Sequence, residues 1–266
     1  MGFTEEELDI LEQYTSRKLP KKFRSSLSEI LKIPENDYKQ INAFIGTGFK
    51  NTVSASITNS KDFREMLHNV ELLFSVACKY GSTHTLPSEL YREDSNFEEI
   101  NDSSYSNKTF KSYSRNDLET SIFKTNKTTH ISASIGSDVR IPFIDVNAIL
   151  GSHGYSDEKE IILPPFLVCN VKDNSSPNNV NVEITDTLYD KESDVIFSQI
   201  GNTDIEIEDS ELDELISLNS KKDKKEDEIR KRDLLATKVH FYMVGQLCNI
   251  YNKYMNITMP NNPQKL

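Results

Sequence analysis

Gly154-Tyr155-Ser156-Asp157-Glu158-Lys159-Glu160-Ile161-Ile162-Leu163-Pro164-Pro165 combines a turn, an acidic run, three aliphatic residues and a pair of prolines. A short apolar run bounded by turn signals is typical of a buried strand, so residues 161–163 are predicted to form one. Glu158 and Glu160 are two positions apart and point to the same face of an extended segment. Holding two carboxylates side by side is costly, because each disfavours ionisation of the other. The pair is therefore either a solvated acidic surface or a functional site, and its neighbours decide between these.

Two further motifs precede this stretch in the chain. Leu90-Tyr91-Arg92 places an aromatic residue next to an arginine at the end of a candidate strand. Ile131-Ser132-Ala133-Ser134 alternates apolar and hydroxyl residues, which is typical of a strand whose serines share one face. Arg92 lies 40 residues before Ser132, and Ser132 lies 28 residues before Glu160. Each motif alone is a weak signal, but the three in this order, with the turn sequence intact, are fairly specific.

The three motifs resemble ADP-ribosyltransferases of the bacterial toxin type, in the subclass with Arg, Ser-x-Ser and Glu-x-Glu motifs. That family carries an aromatic-Arg pair, a Ser-Thr-Ser strand, and a [Gln/Glu]-x-Glu pair that follows an aromatic residue in a turn. The resemblance covers roughly residues 5–170 by motif and the rest of the chain more loosely. It implies an α+β fold in which N-terminal helices pack on a split β-sandwich. It also implies one domain over residues 1–266, with a helical lobe at 1–85 and a β-rich catalytic core with a C-terminal helix at 86–266.

The resemblance implies catalytic roles for Glu160, Glu158 and Ser132. Glu160 would stabilise the positive charge that develops on the ribose when its bond to nicotinamide breaks, as in glycoside hydrolysis. Glu158 would bind the acceptor and help remove its proton, and a Glu at this position goes with arginine acceptors in the family. Ser132 would orient Glu160 and bind near the ribose. Without the neighbouring motifs, solvated surface residues would be the better interpretation of all three.

The resemblance also implies binding roles. The residues expected to bind NAD are Arg92, Tyr91, Ser132 and Ser134, and those expected to contact the acceptor are Tyr155 and Glu158. Arg92 would hold the pyrophosphate through charge-assisted hydrogen bonds, which suits a guanidinium that is always charged. Its ordinary interpretation is a surface arginine paired with Glu93 or Asp94. Glu93 departs from the family pattern, in which a Gly often follows the Arg.

The reaction implied is transfer of ADP-ribose from NAD, a co-substrate that is consumed, to an arginine side chain of a target protein, without a metal. Proteins of this type are bacterial or phage effectors and toxins. The alternatives are an NAD glycohydrolase with water as acceptor, and a catalytically inactive module that binds a partner through the acidic stretch 204–213. A third is a scaffold that uses the C-terminal helix as a contact. The sequence leaves the oligomeric state open.

Composition disfavours other classes of protein. The chain has 266 residues, with 31 Lys and Arg against 42 Asp and Glu, and a formal net charge of −11. A nucleic-acid-binding surface needs a basic footprint, so that function is disfavoured. No apolar run approaches the length of a membrane span, and Met1 to Asp9 is acidic, unlike a secretory signal. We therefore expect action in the cytoplasm of the producing cell or, through a dedicated secretion apparatus, inside a target cell.

Other cofactor and metal motifs are incomplete. Gly46-Thr47-Gly48 lacks a third Gly and a preceding strand, so a Rossmann site is not predicted. The acidic run 204–209 has no Gly at its sixth place, which disfavours an EF-hand loop. The five histidines show no zinc-binding spacing. The three cysteines lack C-x-x-C spacing and are expected to be buried or free thiols.

The spacing of apolar residues predicts helices first and strands afterwards, an α+β layout. Helices are predicted after Thr4, at 20–31, around 41–45, at 61–80 and at 234–254. Strands are predicted at 89–92, 129–135, 166–171 and 180–184, with a strand-like or irregular segment at 140–150 and a turn-rich insertion at 174–179.

Overall fold

The computed structural model describes residues 2–15, 37–46, 57–95, 97, 103–120, 124–136, 139–151, 159–176, 178–189 and 205–255. The helices in these ranges are α1 (Glu5–Thr15), α2 (Asp37–Gly46), α3 (Ser60–Gly81), α4 (Asp117–Thr120), α5 (Val146–Leu150), α6 (Asp209–Ser220) and α7 (Glu226–Tyr254). The strands are β1 (Glu89–Asp94), β2 (Ser104–Ser106), β3 (Lys111–Ser114), β4 (Thr129–Ile135), β5 (Ile144–Asp145), β6 (Glu160–Leu163), β7 (Leu167–Ser176) and β8 (Asn179–Thr187). The predicted α+β class is confirmed.

The long helix α3 follows the pattern read from the sequence. Its N-cap is Asn59, whose side chain accepts a hydrogen bond from the Asp62 N–H. Apolar residues at helical spacing are buried along its length. The helix ends at Gly81, where a Cβ atom would lie 2.7 Å from the carbonyl oxygen of Ile141. A glycine there lets the end of α3 approach the segment before β5.

The strands form one sheet in the order β2-β7-β8-β4-β1-β3-β6-β5. Only β4 and β8 pair in parallel among the described strands, and every other neighbouring pair is antiparallel. Strand β1 pairs with β4 over its whole length, from Glu89 to Asp94. With β3 it shares a single register pair within the described residues, Tyr91 opposite Ser114. The sheet therefore has two halves that separate beyond Tyr91, and this gap positions the candidate site.

Two hydrophobic cores lie on the two faces of the sheet. The first joins α1, α3, α6 and α7 to one face and includes Ile162 of β6. The second lies on the other face and includes Ile161 and Leu163 from the same strand, because successive residues alternate between faces. All three residues are at most 1% exposed, which confirms the prediction of a buried strand here.

Several segments differ from the sequence-based expectation. Residues 140–150 contain the short strand β5 and helix α5. In the predicted turn-rich insertion at 174–179, the described residues include the end of β7 and the start of β8, which pair at Ser176 and Asn179. Strands β2 and β3 were not predicted, because they are short and carry few apolar residues. Helix α7 begins at Glu226, eight residues before the predicted start. The helix predicted at 20–31 lies outside the described residues.

The acidic stretch before α6 has a structural role where it is described. Glu208 and Glu211 form a capping box at the start of α6. Asp209 accepts a hydrogen bond from Arg64 of α3 at 2.5 Å, and Asp213 accepts one from the Ser60 N–H at 2.6 Å. These carboxylates attach α6 to α3, so the stretch is more than a solvated surface.

Three simpler expectations can be compared with the described residues. Cys78, Cys169 and Cys248 are free and buried, as predicted. Within the described ranges, no group of three or more His, Cys, Asp or Glu side chains is arranged to hold a metal ion. The helices of the same ranges include none that is both long and apolar enough to cross a membrane.

Candidate active site

Glu160 is the first residue of β6 and lies directly opposite Ser114 of β3. Its Oε1 accepts a hydrogen bond of 2.5 Å from the hydroxyl of Ser112. Ser112 and Ser114 are two residues apart in β3, so both point to the face on which Glu160 lies. The carboxylate is half-buried and fixed at the start of a buried strand. A carboxylate held this way needs little reorganisation to stabilise a positive charge.

The side chain of Arg92 also forms a hydrogen bond with Ser112. Its Nη1 donates to the carbonyl oxygen of Ser112 at 2.8 Å, and its Nε donates to Asp94 at 3.1 Å. Arg92 and Glu160 therefore contact the same residue, one through its backbone carbonyl and the other through its hydroxyl. Arg92 leaves β1 on the face opposite to Tyr91, and it reaches Ser112 where β1 and β3 separate.

Ser132 and Ser134 lie elsewhere on the sheet. Ser132 is opposite Tyr91, which is opposite Ser114, which in turn is opposite Glu160. Three strand spacings separate Ser132 from Glu160, roughly 14 Å at about 4.8 Å each. Ser134 donates to the carbonyl oxygen of Val182 at 3.3 Å. The expectation that Ser132 orients Glu160 does not fit this geometry, because the strand beside β6 is β3 and its Ser112 makes that hydrogen bond.

The sequence contained a signal for Ser112. Ser112-Tyr113-Ser114 alternates hydroxyl and aromatic residues and has the same Ser-x-Ser pattern as residues 132–134. Tyr113 is buried, as this alternation would suggest. The sequence pattern does not say which of the two serine pairs belongs to the strand next to Glu160.

Tyr91 lies on the face of Glu160, in the row that crosses Ser114 and Ser132. Its hydroxyl donates to Glu89 at 2.8 Å, and this hydrogen bond is the main reason that the pKa of Tyr91 is raised. Its ring lies 6.2 Å from the ring of His130, centroid to centroid. Tyr91 is therefore beside the site, and its neighbour Arg92 provides the cation.

Glu93, which departs from the family pattern, pairs with His130. The two side chains lie 2.8 Å apart through Oε1 and Nδ1, and the other ring nitrogen of His130 lies 3.2 Å from Asp117 of α4. The Glu93 side chain is only 1% exposed. Of the two acids named above as partners for a surface Arg92, Asp94 pairs with it and Glu93 pairs with His130.

A cavity of about 300 Å³ opens between β1 and β3, on the face reached by Arg92, and its described lining includes neither Ser112 nor Glu160. Its charged lining consists of Arg92, Lys108, Lys111 and Asp94. Aliphatic residues from both halves of the sheet form its apolar floor, namely Ile131, Leu163, Leu167 and Ile184. The cavity therefore combines an excess of positive charge with an apolar surface. Tyr155 and Glu158 lie outside the described residues.

No protein-family model matches the sequence, and no curated protein matches it. Solved ADP-ribosyltransferases are among the structures similar to this chain. The enzymatic component C2-I of the C2 toxin from Clostridium botulinum has a TM-score of 0.40 and 17% identity, over 68% of this chain and 43% of that one. ADP-ribosyltransferase Vis has a TM-score of 0.35 and 12% identity, over 66% of this chain and 89% of that one.

ADP-ribosyltransferase HopU1 of Pseudomonas syringae has a TM-score of 0.34 and 12% identity, over 70% of this chain and 88% of that one. The chain thus spans 43% of the length of C2-I and most of the length of Vis and HopU1.

Proposed function

We propose that this protein is a mono-ADP-ribosyltransferase that transfers ADP-ribose from NAD to an arginine side chain of a target protein. A role as an effector or toxin, and a single domain over residues 1–266, are part of the same proposal. The observation that carries it is the Glu160 carboxylate, fixed by the Ser112 hydroxyl, with the Arg92 guanidinium attached to the same serine. The aromatic-Arg and Glu-x-Glu motifs in the sequence also support it.

The chemistry requires a carboxylate near the ribose. The bond between nicotinamide and the ribose carbon breaks, and nicotinamide leaves as a neutral molecule with the electron pair. The ribose then carries oxocarbenium character, which a fixed negative charge stabilises. An acceptor nitrogen forms the new bond to this carbon and gives up a proton. Glu160 fits the stabilising role because Ser112 fixes its carboxylate in position.

The residues present also fit the pyrophosphate of NAD. Arg92 is 22% exposed and presents a guanidinium to the cavity, which also contains Lys108 and Lys111. Cations at this site are notable in a chain whose net charge is −11. Guanidinium groups bind phosphate oxygens through charge-assisted hydrogen bonds. Arg92 and Glu160 leave their strands on opposite faces and meet through Ser112, so the ribose of a dinucleotide held at Arg92 would reach Glu160 through the gap between β1 and β3.

The arginine acceptor and the roles of Glu158 and Tyr155 are proposed from the sequence resemblance. A carboxylate can pair with a guanidinium in a bidentate manner and accept its proton. Glu158 precedes Glu160 by two residues, so it would contact the acceptor while Glu160 serves the ribose. Tyr155 would pack against the acceptor in the turn before them.

Incubation of the purified protein with labelled NAD and cell lysate tests the proposal. We expect labelled protein and free nicotinamide, and mass spectrometry of the modified peptides should locate ADP-ribose on arginine. Free nicotinamide without labelled protein would favour NAD hydrolysis with water as acceptor. Absence of both products would contradict an enzymatic function and favour an inactive binding module.

Ser112→Ala and Ser132→Ala are expected to differ, although the Ser-x-Ser pattern is the same at both positions. Ser112→Ala removes a hydrogen bond to a charged group, so kcat for NAD turnover should fall about ten- to hundredfold. The KM for NAD should change little, because Arg92 bonds to the backbone carbonyl of Ser112 and not to its hydroxyl. Ser132→Ala should leave both constants near the wild-type values. The reverse result would return the orienting role to Ser132.

A further inference from the structure

Asp94 holds two cations on one wall of the cavity. Its Oδ2 accepts from Arg92 Nε at 3.1 Å and from Lys111 Nζ at 3.3 Å. The Asp94 side chain is 9% exposed, whereas those of Arg92 and Lys111 are 22% and 33% exposed. The acid is therefore buried behind two cations that remain accessible to a ligand.

The three residues come from the two strands that separate at the gap. Arg92 and Asp94 lie two positions apart in β1 and share one face, while Lys111 is the first residue of β3. Both ion pairs end on the same oxygen, so Asp94 keeps the two cationic nitrogens close to each other. The ion pair between Asp94 and Lys111 also connects the two halves of the sheet at the cavity.

The part of the cavity lining that the structure describes carries more positive than negative charge. Among the described residues that line it, Arg92, Lys108 and Lys111 are cations and Asp94 is the one acid. One carboxylate cannot neutralise three cations, and Arg92 and Lys111 remain partly exposed to a ligand. An anionic ligand with closely spaced charges would complete the site.

We propose that Lys111 is a second phosphate-binding residue beside Arg92, and that Asp94 is the positioning residue for both. The ligand class is a diphosphate, terminal as in ADP or esterified at both ends as a diester, because two adjacent cations match two adjacent phosphates. The identification of that diester as NAD rests on the proposed function. Phe97 and Tyr105, whose rings pack edge to face at 5.7 Å, line the same cavity and offer an aromatic surface to an attached base.

Isothermal titration calorimetry with ADP as the probe tests Lys111. Lys111→Met should weaken ADP binding on the order of tenfold, as expected for loss of a charge-assisted hydrogen bond. Adenosine, which has no phosphate, should bind equally to both proteins. Lys172→Met is the matched control, because Lys172 pairs with Glu183 at 2.6 Å on an exposed part of the sheet. Equal ADP affinity in Lys111→Met and Lys172→Met, or no ADP binding by the wild type, would overturn the proposal.

Asp94→Asn tests the positioning role through the sign of its effect. If Asp94 acted only as a nearby negative charge, its removal would strengthen ADP binding. If it positions the cations, Asp94→Asn should weaken ADP binding several-fold. Most of this loss should depend on Arg92, so Asp94→Asn should weaken ADP binding less in an Arg92→Lys background than in the wild type. Comparing Arg92→Lys with the double variant measures this. Tighter binding by Asp94→Asn would overturn the positioning role.

The outcome is separable from that of the proposed function. Lys111-dependent ADP binding by a protein that does not consume NAD would support the phosphate site and contradict the enzymatic proposal. Consumption of NAD by Lys111→Met with an unchanged KM would support the enzymatic proposal and contradict the phosphate-binding role of Lys111.

Discussion

Glu160→Gln is expected to lower NAD turnover by about 10²- to 10³-fold, both for transfer to protein and for hydrolysis. Glutamine keeps the size of the side chain and its oxygen can still accept the hydrogen bond from Ser112, so the start of β6 should stay in place. What it loses is the negative charge opposite the developing oxocarbenium ion. The effect should therefore fall on kcat, with little change in the KM for NAD. Release of labelled nicotinamide measures both constants.

Two further variants make this result interpretable. Glu183→Gln removes a carboxylate from an exposed pair with Lys172 and should behave like the wild type. Glu158→Gln should remove transfer to protein and leave slow hydrolysis, because the acceptor would lose its partner while Glu160 remains. Full turnover by Glu160→Gln would contradict the mechanistic assignment, whatever the acceptor.

The sequence was informative where a single strand decides the geometry. The apolar run after Glu160 predicted a buried strand, and the structure has β6 at Glu160–Leu163. Glu160 therefore had to lie at the start of that strand. The pairing of Arg92 with Asp94 also follows from strand geometry, because residues two apart share a face whereas Glu93 points to the other.

The sequence was not informative where the answer depends on which strands are neighbours. Ser112 and Ser132 have the same local pattern, and only the order β4-β1-β3-β6 places one next to Glu160 and the other three strands away. That order is set by packing of the whole sheet between two cores. The partner of Glu93 was equally hidden, because His130 lies in β4 and Asp117 in α4, far along the chain.

Lys79→Met is expected to destabilise the fold by about 3–5 kcal/mol, the usual cost of leaving one partner of a buried ion pair alone. Lys79 of α3 donates to Glu7 of α1 at 2.7 Å, and the two side chains are 9% and 4% exposed. Ser75 also donates to Glu7 at 2.7 Å. The variant keeps most of the buried volume of the lysine but leaves the carboxylate without its counter-charge. Urea unfolding at neutral pH measures the difference in the free energy of unfolding.

Lys238→Met provides the matched control for this comparison. Lys238 pairs with Glu211 at 2.6 Å, but the two side chains are 39% and 29% exposed. Exposed pairs contribute about 0–1 kcal/mol, so this variant should unfold at nearly the wild-type urea concentration. The double variant Glu7→Gln with Lys79→Met should recover part of the loss, because no unpaired charge remains buried. A loss for Lys79→Met as small as that for Lys238→Met would show that water reaches Glu7.

The pH dependence of the Lys79→Met deficit separates the charge effect from a packing effect. In the wild type, burial raises the pKa of Glu7, but hydrogen bonds from Lys79, Ser75 and the Thr4 N–H outweigh burial and lower it overall. A pKa that is lower in the folded state contributes stability above the unfolded value, about 4.3 for glutamate, and that contribution is lost as the pH falls below it. In Lys79→Met the main opposing interaction is gone, so burial should favour the protonated, uncharged acid. The difference in unfolding free energy between the two proteins should therefore be largest near neutral pH and shrink as the pH falls towards 4. A deficit of equal size at both pH values would assign it to lost packing of the lysine side chain.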